Sequence, residues 1–367
     1  MAAMTALVTG GCGFVGRHVV ARLVRGGYDV WVIDDLSTGQ DPEQWLPALG
    51  LKPDGSFWSS QGPGEIRRFV GPLGETVTCL LADVREVLRA DTTMDAQLPH
   101  FADVIHLAAV VGGRLKIDGD PLSVATDLAI DAGFFAWAIR ARPGRILYAS
   151  SSAAYPVRLQ EAQGNVALRE EYIDFAHGQL GMPDMTYGWS KLTGEYLSRI
   201  AAQKYGLHVA CIRPFSGYGE DQDESYPVPA IAARAARHED PLTVWGSGLQ
   251  GRDFVHIEDC VSAMFRILDA VSDGSGVNIG SGKLTTFLEV ARLFDDLAGY
   301  QPRIVPLEDK PVGVQARYAD ITRMTSLLNW SPEISIEAGF GRVLAAALER
   351  QERAATQREP ALAGALA

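Results

Sequence analysis

Tyr187 and Lys191 stand four residues apart in Tyr187-Gly188-Trp189-Ser190-Lys191. On a helix that spacing puts a phenol and an ammonium on one face. A nearby cation, helped by a positively charged nicotinamide ring, favours phenolate over phenol, so the tyrosine pKa is expected to fall toward neutrality. Such a tyrosine can take a proton from a sugar hydroxyl and return it. The lysine would also hold the nicotinamide ribose. A serine run, Ser150-Ser151-Ser152, closes the apolar stretch Ile146 to Ala149, where a hydroxyl can reach the reacting oxygen. A turn or helix cap is the plain alternative for those serines.

A second constellation lies near the start, in Ala6-Leu7-Val8-Thr9-Gly10-Gly11-Cys12-Gly13-Phe14-Val15-Gly16. A short strand runs into glycines three apart and then into an amphipathic helix, Arg17 to Arg25. Gly10 allows a tight turn, Gly13 admits phosphates to the backbone, and Gly16 lets helix and strand pack closely. Backbone N–H groups at that helix start suit a dinucleotide pyrophosphate. The next strand, Val30 to Ile33, ends in Asp34, about 20 residues on, where a carboxylate can take the adenosine ribose hydroxyls.

The elements around these groups alternate. Strands are expected at Ala6–Thr9, Val30–Ile33, Thr76–Leu81, Val104–Leu107, Ile146–Ala149 and His208–Arg213, with helices at Leu122–Ala141 and Trp189–Tyr205. This order implies a parallel sheet covered on both faces, with ligands beyond the carboxyl ends of its strands. From Gln40 to Gly74 the chain is rich in Gly, Pro, Ser and Trp without a sustained period, which reads as a surface insertion, or else a lid or subunit contact. The fold class is α/β: a Rossmann doubly wound parallel sheet with a smaller, mixed α/β C-terminal substrate domain. Residues 1–214 form the dinucleotide-binding part, with a return segment near 255–280. Residues 215–350 form mainly the substrate part, and 351–367 a frayed helix and tail.

The 367 residues carry a net charge of −12, which disfavours nucleic acid or an anionic membrane as partner. An anionic substrate must then be met by a few placed arginines. Cys12, Cys79, Cys211 and Cys260 show no metal-ligand spacing and no disulfide pattern, so a cytoplasmic location and no metal are expected. The N-terminus lacks a basic n-region, and no run of about 18 uninterrupted apolar residues suggests a membrane span. The acidic run Glu220 to Glu224 reads as a solvated loop rather than a metal site. His256 reads as structural, and His177 as a group that could reach substrate.

With these motifs the chain resembles the extended short-chain dehydrogenase/reductases, in their nucleotide-sugar epimerase/dehydratase group. The resemblance covers roughly residues 4 to 350. It includes Ala82-Asp83-Val84, His106-Leu107-Ala108-Ala109, Ser150 to Tyr155, Tyr187 to Lys191, Arg213-Pro214-Phe215-Ser216, Trp245 to His256 with Asp259, and Val277-Asn278-Ile279-Gly280. It implies NAD as cofactor, chosen over NADP because the Asp34 carboxylate repels a 2′-phosphate. It implies cofactor contacts at Gly10, Gly13, Phe14, Val15, Gly16, Asp34, Asp83 (beside adenine), Val84, Leu107, Ala108, Ala109 and Pro214, with Tyr187 and Lys191. Tyr187 would be the catalytic base, Lys191 its partner, and Ser151 the catalytic hydroxyl, with Ser152 the alternative. Ser151, Ser152, Ser216, Arg252 and Arg317 would bind substrate, the arginines through the sugar-nucleotide diphosphate. A homodimer joined through helices Leu122–Ala141 and Trp189–Tyr205 is implied by resemblance alone.

Departures narrow the reaction. Sugar dehydratases resemble Thr-Asp-Glu where this chain has Ser151-Ser152-Ala153, and the carboxylate of UDP-glucuronate decarboxylases is also absent. Val244 to Cys260, Tyr155-Pro156 and Gly313 to Arg317 look most like GDP-mannose 3,5-epimerase. That family's Cys corresponds to Ala153 and its loop Lys to the lysine-free run Gly219 to Glu224, so both of its acid/base groups are missing here. Asp127 stands where many members have Asn. The favoured expectation is an NAD-dependent NDP-hexose 4-epimerase. The alternatives are 3- and/or 5-epimerisation through a further base, dehydration, or a cofactor-binding scaffold without turnover.

Overall fold

Alternating β-branched runs and helices build one large sheet. The computed structural model describes residues 4–58, 64–89, 98–112, 114–161 and 166–364. The sheet strands are β1 (Thr5–Thr9), β2 (Asp29–Asp34), β3 (Lys52–Trp58), β4 (Glu65–Val70), β5 (Thr76–Leu81), β6 (Asp103–His106), β7 (Arg145–Ala149) and β8 (Val209–Pro214). A ninth strand, Asp273–Ile279, lies beside β8, giving the order (273–279)-β8-β7-β6-β1-β2-β5-β4-β3. Every pairing is parallel except β3 with β4 and β4 with β5. The order reverses at β1, which has β2 on one side and β6 on the other, so a crevice opens at the carboxyl ends of β1 and β6.

Each face of the sheet is covered. Helix α1 (Phe14–Arg25) and helix Ile257–Ala270 supply Val20, Leu23, Met264 and Ile267 to one core. Helix Thr126–Ala141 supplies Phe134, Phe135 and Trp137 to the other, with Ala201 from helix Met185–Tyr205. A third core unites helices Pro227–Ala236, Phe287–Ala298 and Ile336–Gly364 around Phe294 and Phe340.

Several expectations are corrected. The helix expected at Leu122–Ala141 is two pieces, Pro121–Val124 and Thr126–Ala141, with Ala125 between them. Pro121–Ala141 together is long and apolar enough to cross a membrane by composition. In this fold Thr126–Ala141 packs on the sheet and buries Asp127 and Asp131. The Gln40–Gly74 stretch is not without regular structure: it forms a short helix, Pro42–Trp45, a 3-10 turn, Leu46–Leu49, and the β3–β4 hairpin that extends the main sheet. At the other end, helix Ile336–Gly364 runs through most of the stretch expected as a frayed helix and tail.

Candidate active site

The glycine turn is built by close approach. Gly10 has φ +71°, and a Cβ there would lie 2.8 Å from the Ala108 amide nitrogen. A Cβ on Gly16 would lie 2.1 Å from the Gly10 carbonyl oxygen, so only glycine lets α1 start against the end of β1. Gly13 is the N-cap of α1, no side chain caps it, and its first turn holds no acidic residue. Phe14 and Val15 open that turn. An uncapped helix start free of carboxylates fits a pyrophosphate.

Asp34 stands at the edge of the turn and braces it. Its Oδ2 accepts from the Cys12 N–H and its Oδ1 from the Leu36 N–H, both at 2.9 Å. Burial raises its pKa against those two bonds. Leu107 donates its N–H to the Thr9 carbonyl, and Ala108 and Ala109 continue beyond β6 on the same side. Asp83 caps the one-turn helix Val84–Val87 and pairs with Arg85, while Pro214 ends β8 opposite Ile279.

Tyr187 and Lys191 lie in helix Met185–Tyr205, as the spacing predicts, with the Lys191 Nζ 5.9 Å from the Tyr187 ring centroid. The Ser151 hydroxyl lies near enough to the Tyr187 oxygen to pull its pKa down. Ser151 also caps the turn Ser152–Ala154, accepting from the Ala153 N–H at 3.1 Å. The structure therefore brings Ser151 to the tyrosine, while Ser152 is buried within the turn. The expected fall in the Tyr187 pKa does not occur in the protein alone. Desolvation of its hydroxyl end raises it, and Asp127 adds to the rise, against the pull of Lys191 and Ser151. Lys191 shows the opposite balance: burial opposes its charge, but Asp131, Tyr187 and Asp127 outweigh burial and raise its pKa.

A buried network supports this pair. The Thr9 hydroxyl accepts from the Ala108 N–H and meets the His106 Nδ1 at 2.7 Å. If the hydroxyl donates there, Nε2 carries the ring proton toward Asp131 Oδ1, 3.2 Å away. Asp131 Oδ2 accepts from the Tyr148 hydroxyl at 2.6 Å. Burial lowers the His106 pKa, so the ring stays neutral. A Cβ on Gly194 would sit 1.8 Å from the Tyr148 oxygen, so this glycine lets the tyrosine helix approach β7. Sequence reasoning missed Asp131, although its spacing from Asp127 places both carboxylates on one helix face.

The expected substrate arginines are neighbours, because strands Gly251–Arg252 and Ala316–Arg317 pair with Arg252 opposite Arg317. Arg252 donates to the carbonyls of Gly251 and Val314. Arg317 donates to Gln160 and pairs with Asp184 at 2.7 Å, just before the tyrosine helix. Ser216 begins strand Ser216–Tyr218 and pairs with Phe254. The acidic run is not simply a solvated loop. Asp221 pairs with Arg17 and His18, both at 2.8 Å, and Glu220 lies 3.3 Å from His256. Burial opposes ionisation of Asp221, but His18 and Arg17 hold it down at about 2. His177 is exposed and tied to Asp174.

A family model described as the NAD dependent epimerase/dehydratase family matches residues 6–280. The chain belongs to that family. Members of this NAD-dependent family act on nucleotide sugars, and the glycine turn, the bare start of α1 and Asp34 could hold the cofactor. A putative UDP-glucose 4-epimerase of Methanocaldococcus jannaschii is 26% identical over 344 residues, 92% of this chain and 96% of that protein. Among solved structures, UDP-glucose 4-epimerase of Thermotoga maritima with UDP-glucose has a TM-score of 0.75 at 23% identity, covering 95% of this chain and 99% of that one. A dTDP-glucose 4,6-dehydratase of Streptomyces venezuelae, with NAD bound, has a TM-score of 0.75 at 20% identity, covering 95% and 98%. These similarities place this family member in the same α/β fold.

Proposed function

We propose that this family member is an NDP-hexose 4-epimerase. The observation that carries the reading is Tyr187 with Lys191 on one helix face and the Ser151 hydroxyl nearby, with buried Ala153 where a dehydratase acid would stand. NAD held at the glycine turn would supply a reversible hydride acceptor for the sugar carbon. Tyr187 takes the C4-hydroxyl proton while Ser151 donates a hydrogen bond to the same oxygen. The 4-keto sugar turns within the pocket and regains its proton from Tyr187 with the opposite configuration. Arg252 and Arg317 hold the diphosphate, the latter by exchanging Asp184 for phosphate oxygens. Ser216 would line the sugar side with Ser152 behind Ser151 in the turn, while Asp83 and Val84 would meet the adenine end and Pro214 the cofactor.

The division into a cofactor part, 1–214 with its return near 255–280, and a substrate part, 215–350, belongs to the same proposal. So does a homodimer, supported by the exposed apolar side chains of Leu122, Leu128, Trp189 and Tyr196. A cytoplasmic location is supported by four cysteines without a disulfide.

The test is incubation with a panel of nucleotide sugars in D2O, read by NMR and mass. A C4 epimer free of carbon-bound deuterium is expected, and Tyr187→Phe should reduce turnover by at least about 10²-fold. Deuterium at C3 or C5, or loss of water from the sugar, would replace this reading.

A further inference from the structure

Arg317 and Asp184 pair at 2.7 Å with side chains 13% and 8% exposed, and the residues around the pair close a ring of hydrogen bonds. Gln160, fully buried, accepts from the Arg317 Nε and donates to the carbonyls of Tyr155 and Pro156, just after the serine turn. Asp184 donates its own N–H to the Ala153 carbonyl at 3.0 Å, inside that turn. Gln160 therefore aims the guanidinium independently of Asp184. Asp184 is where Arg317, the serine turn and the tyrosine helix meet.

The start of that helix is left incomplete. Asp184 occupies the N-cap position of Met185–Tyr205, yet its carboxylate accepts no N–H of the helix, being turned to Arg317. The Gly188 N–H bonds the Asp184 carbonyl at 2.8 Å, so Met185, Thr186 and Tyr187 precede any helical acceptor. Met185 has φ +55°, a left-handed conformation that a side chain of its size seldom adopts. The Thr186 hydroxyl oxygen is enclosed with no hydrogen-bond partner among the described residues. These three defects fall on the three residues before Tyr187. Aspartate is among the best caps for such a start, and the helix dipole favours a carboxylate there.

Resting on the reading that Arg317 binds the substrate diphosphate, we propose that Asp184 is a positioning residue that ties diphosphate binding to the setting of Tyr187. Asp184 holds Arg317 here; phosphate oxygens that take the guanidinium release it to cap the tyrosine helix. Met185, whose side chain is exposed, then leaves its left-handed conformation, and the first turn closes on Tyr187. Asp184 touches neither sugar nor cofactor and acts only through the helix. A sugar whose anion does not reach Arg317 leaves the cap unmade, so the exchange favours nucleotide sugars over simpler sugars at the turnover step.

The NAD-loaded protein is titrated with UDP, GDP, dTDP and ADP, and the tightest binder is used with each variant. Amide hydrogen–deuterium exchange over residues 184–190 reads the cap without turnover, and in the wild type it should slow on diphosphate binding. Asp184→Asn removes the charge that competes for Arg317 but keeps a capping side chain. Its Kd should fall about tenfold with the slowing retained. Asp184→Ala should also bind about tenfold tighter, yet lose the slowing, and its kcat on whichever nucleotide sugar is turned over should drop about tenfold. A residue that merely supports the fold would weaken binding and turnover together. That pattern in Asp184→Ala, an unchanged Kd in Asp184→Asn, or exchange that does not slow in the wild type overturns the proposal. If Asp184→Ala does not fold, Asp184→Asn decides by its Kd and by whether the slowing persists. Arg317→Ala separates the two ideas. If no diphosphate binds, or Arg317→Ala binds it as well as the wild type does, the diphosphate reading falls and the exchange with it. Binding lost in Arg317→Ala beside an unchanged Kd in Asp184→Asn sinks only the exchange.

Discussion

Asp127 leaves a signature in stability. Its carboxyl binds a proton more tightly folded, at about 6, than its ordinary value of 3.8. The contribution of this one group to folding is therefore greatest below 3.8 and falls by roughly 3 kcal/mol as pH rises through this window to 6. Asp127→Asn should remove that slope, so denaturant unfolding at pH 5 and pH 7.5 should differ less in the variant than in the wild type. At this scale the sequence was legible where chemistry is local. Gly10, Gly13, Gly16, Tyr187 and Lys191 are set by spacing within one turn or one helix, and they stand where that spacing predicts. Arg317 with Asp184, Asp221 with Arg17, and the raised Tyr187 pKa depend on partners or burial supplied from remote parts of the chain, to which spacing is blind.

Among the elements, the tyrosine helix is held to the sheet by a buried ion pair. Glu195 receives the Arg213 Nε and NH2 groups of β8 at 2.9 and 2.7 Å, with both side chains almost fully enclosed. Arg213 also donates to the Tyr155 hydroxyl and the Glu170 carbonyl, and Tyr155 donates on to Asn278. Removing one partner leaves a charge stranded in the interior. Glu195→Gln is expected to cost about 3–5 kcal/mol in denaturant unfolding and to loosen the register of Tyr187 against Ser151. Replacing Glu195 and Arg213 together by apolar residues of similar volume should recover much of that loss. The strands of this layer were legible because buried parallel strands read as continuous apolar runs. The break at Ala125 was not, because Ala125 is neither Gly nor Pro and its flanks keep the helical pattern.

Across the whole molecule, the β3–β4 hairpin shows what sequence reading misses. Lys52-Pro53-Asp54-Gly55-Ser56 has neither alternation nor β propensity, and its strand exists through pairing with Glu65–Val70 and, beyond it, Thr76–Leu81. That pairing also governs how copies of the chain behave in crowded solution. Without the hairpin, β5, with its run Thr76-Val77-Thr78-Cys79-Leu80-Leu81, would present its unpaired edge to any other chain, an invitation to edge-to-edge association. The outermost strand instead offers a lysine, a proline, an aspartate and a register shift between Pro53 and Ser56, features that discourage such pairing. Replacing residues 50–74 with a short turn should leave the glycine turn and Tyr187 in place. It should also convert much of the purified protein into high-mass aggregate by size-exclusion chromatography and light scattering, the insertion having served as the guard on the sheet's sticky edge.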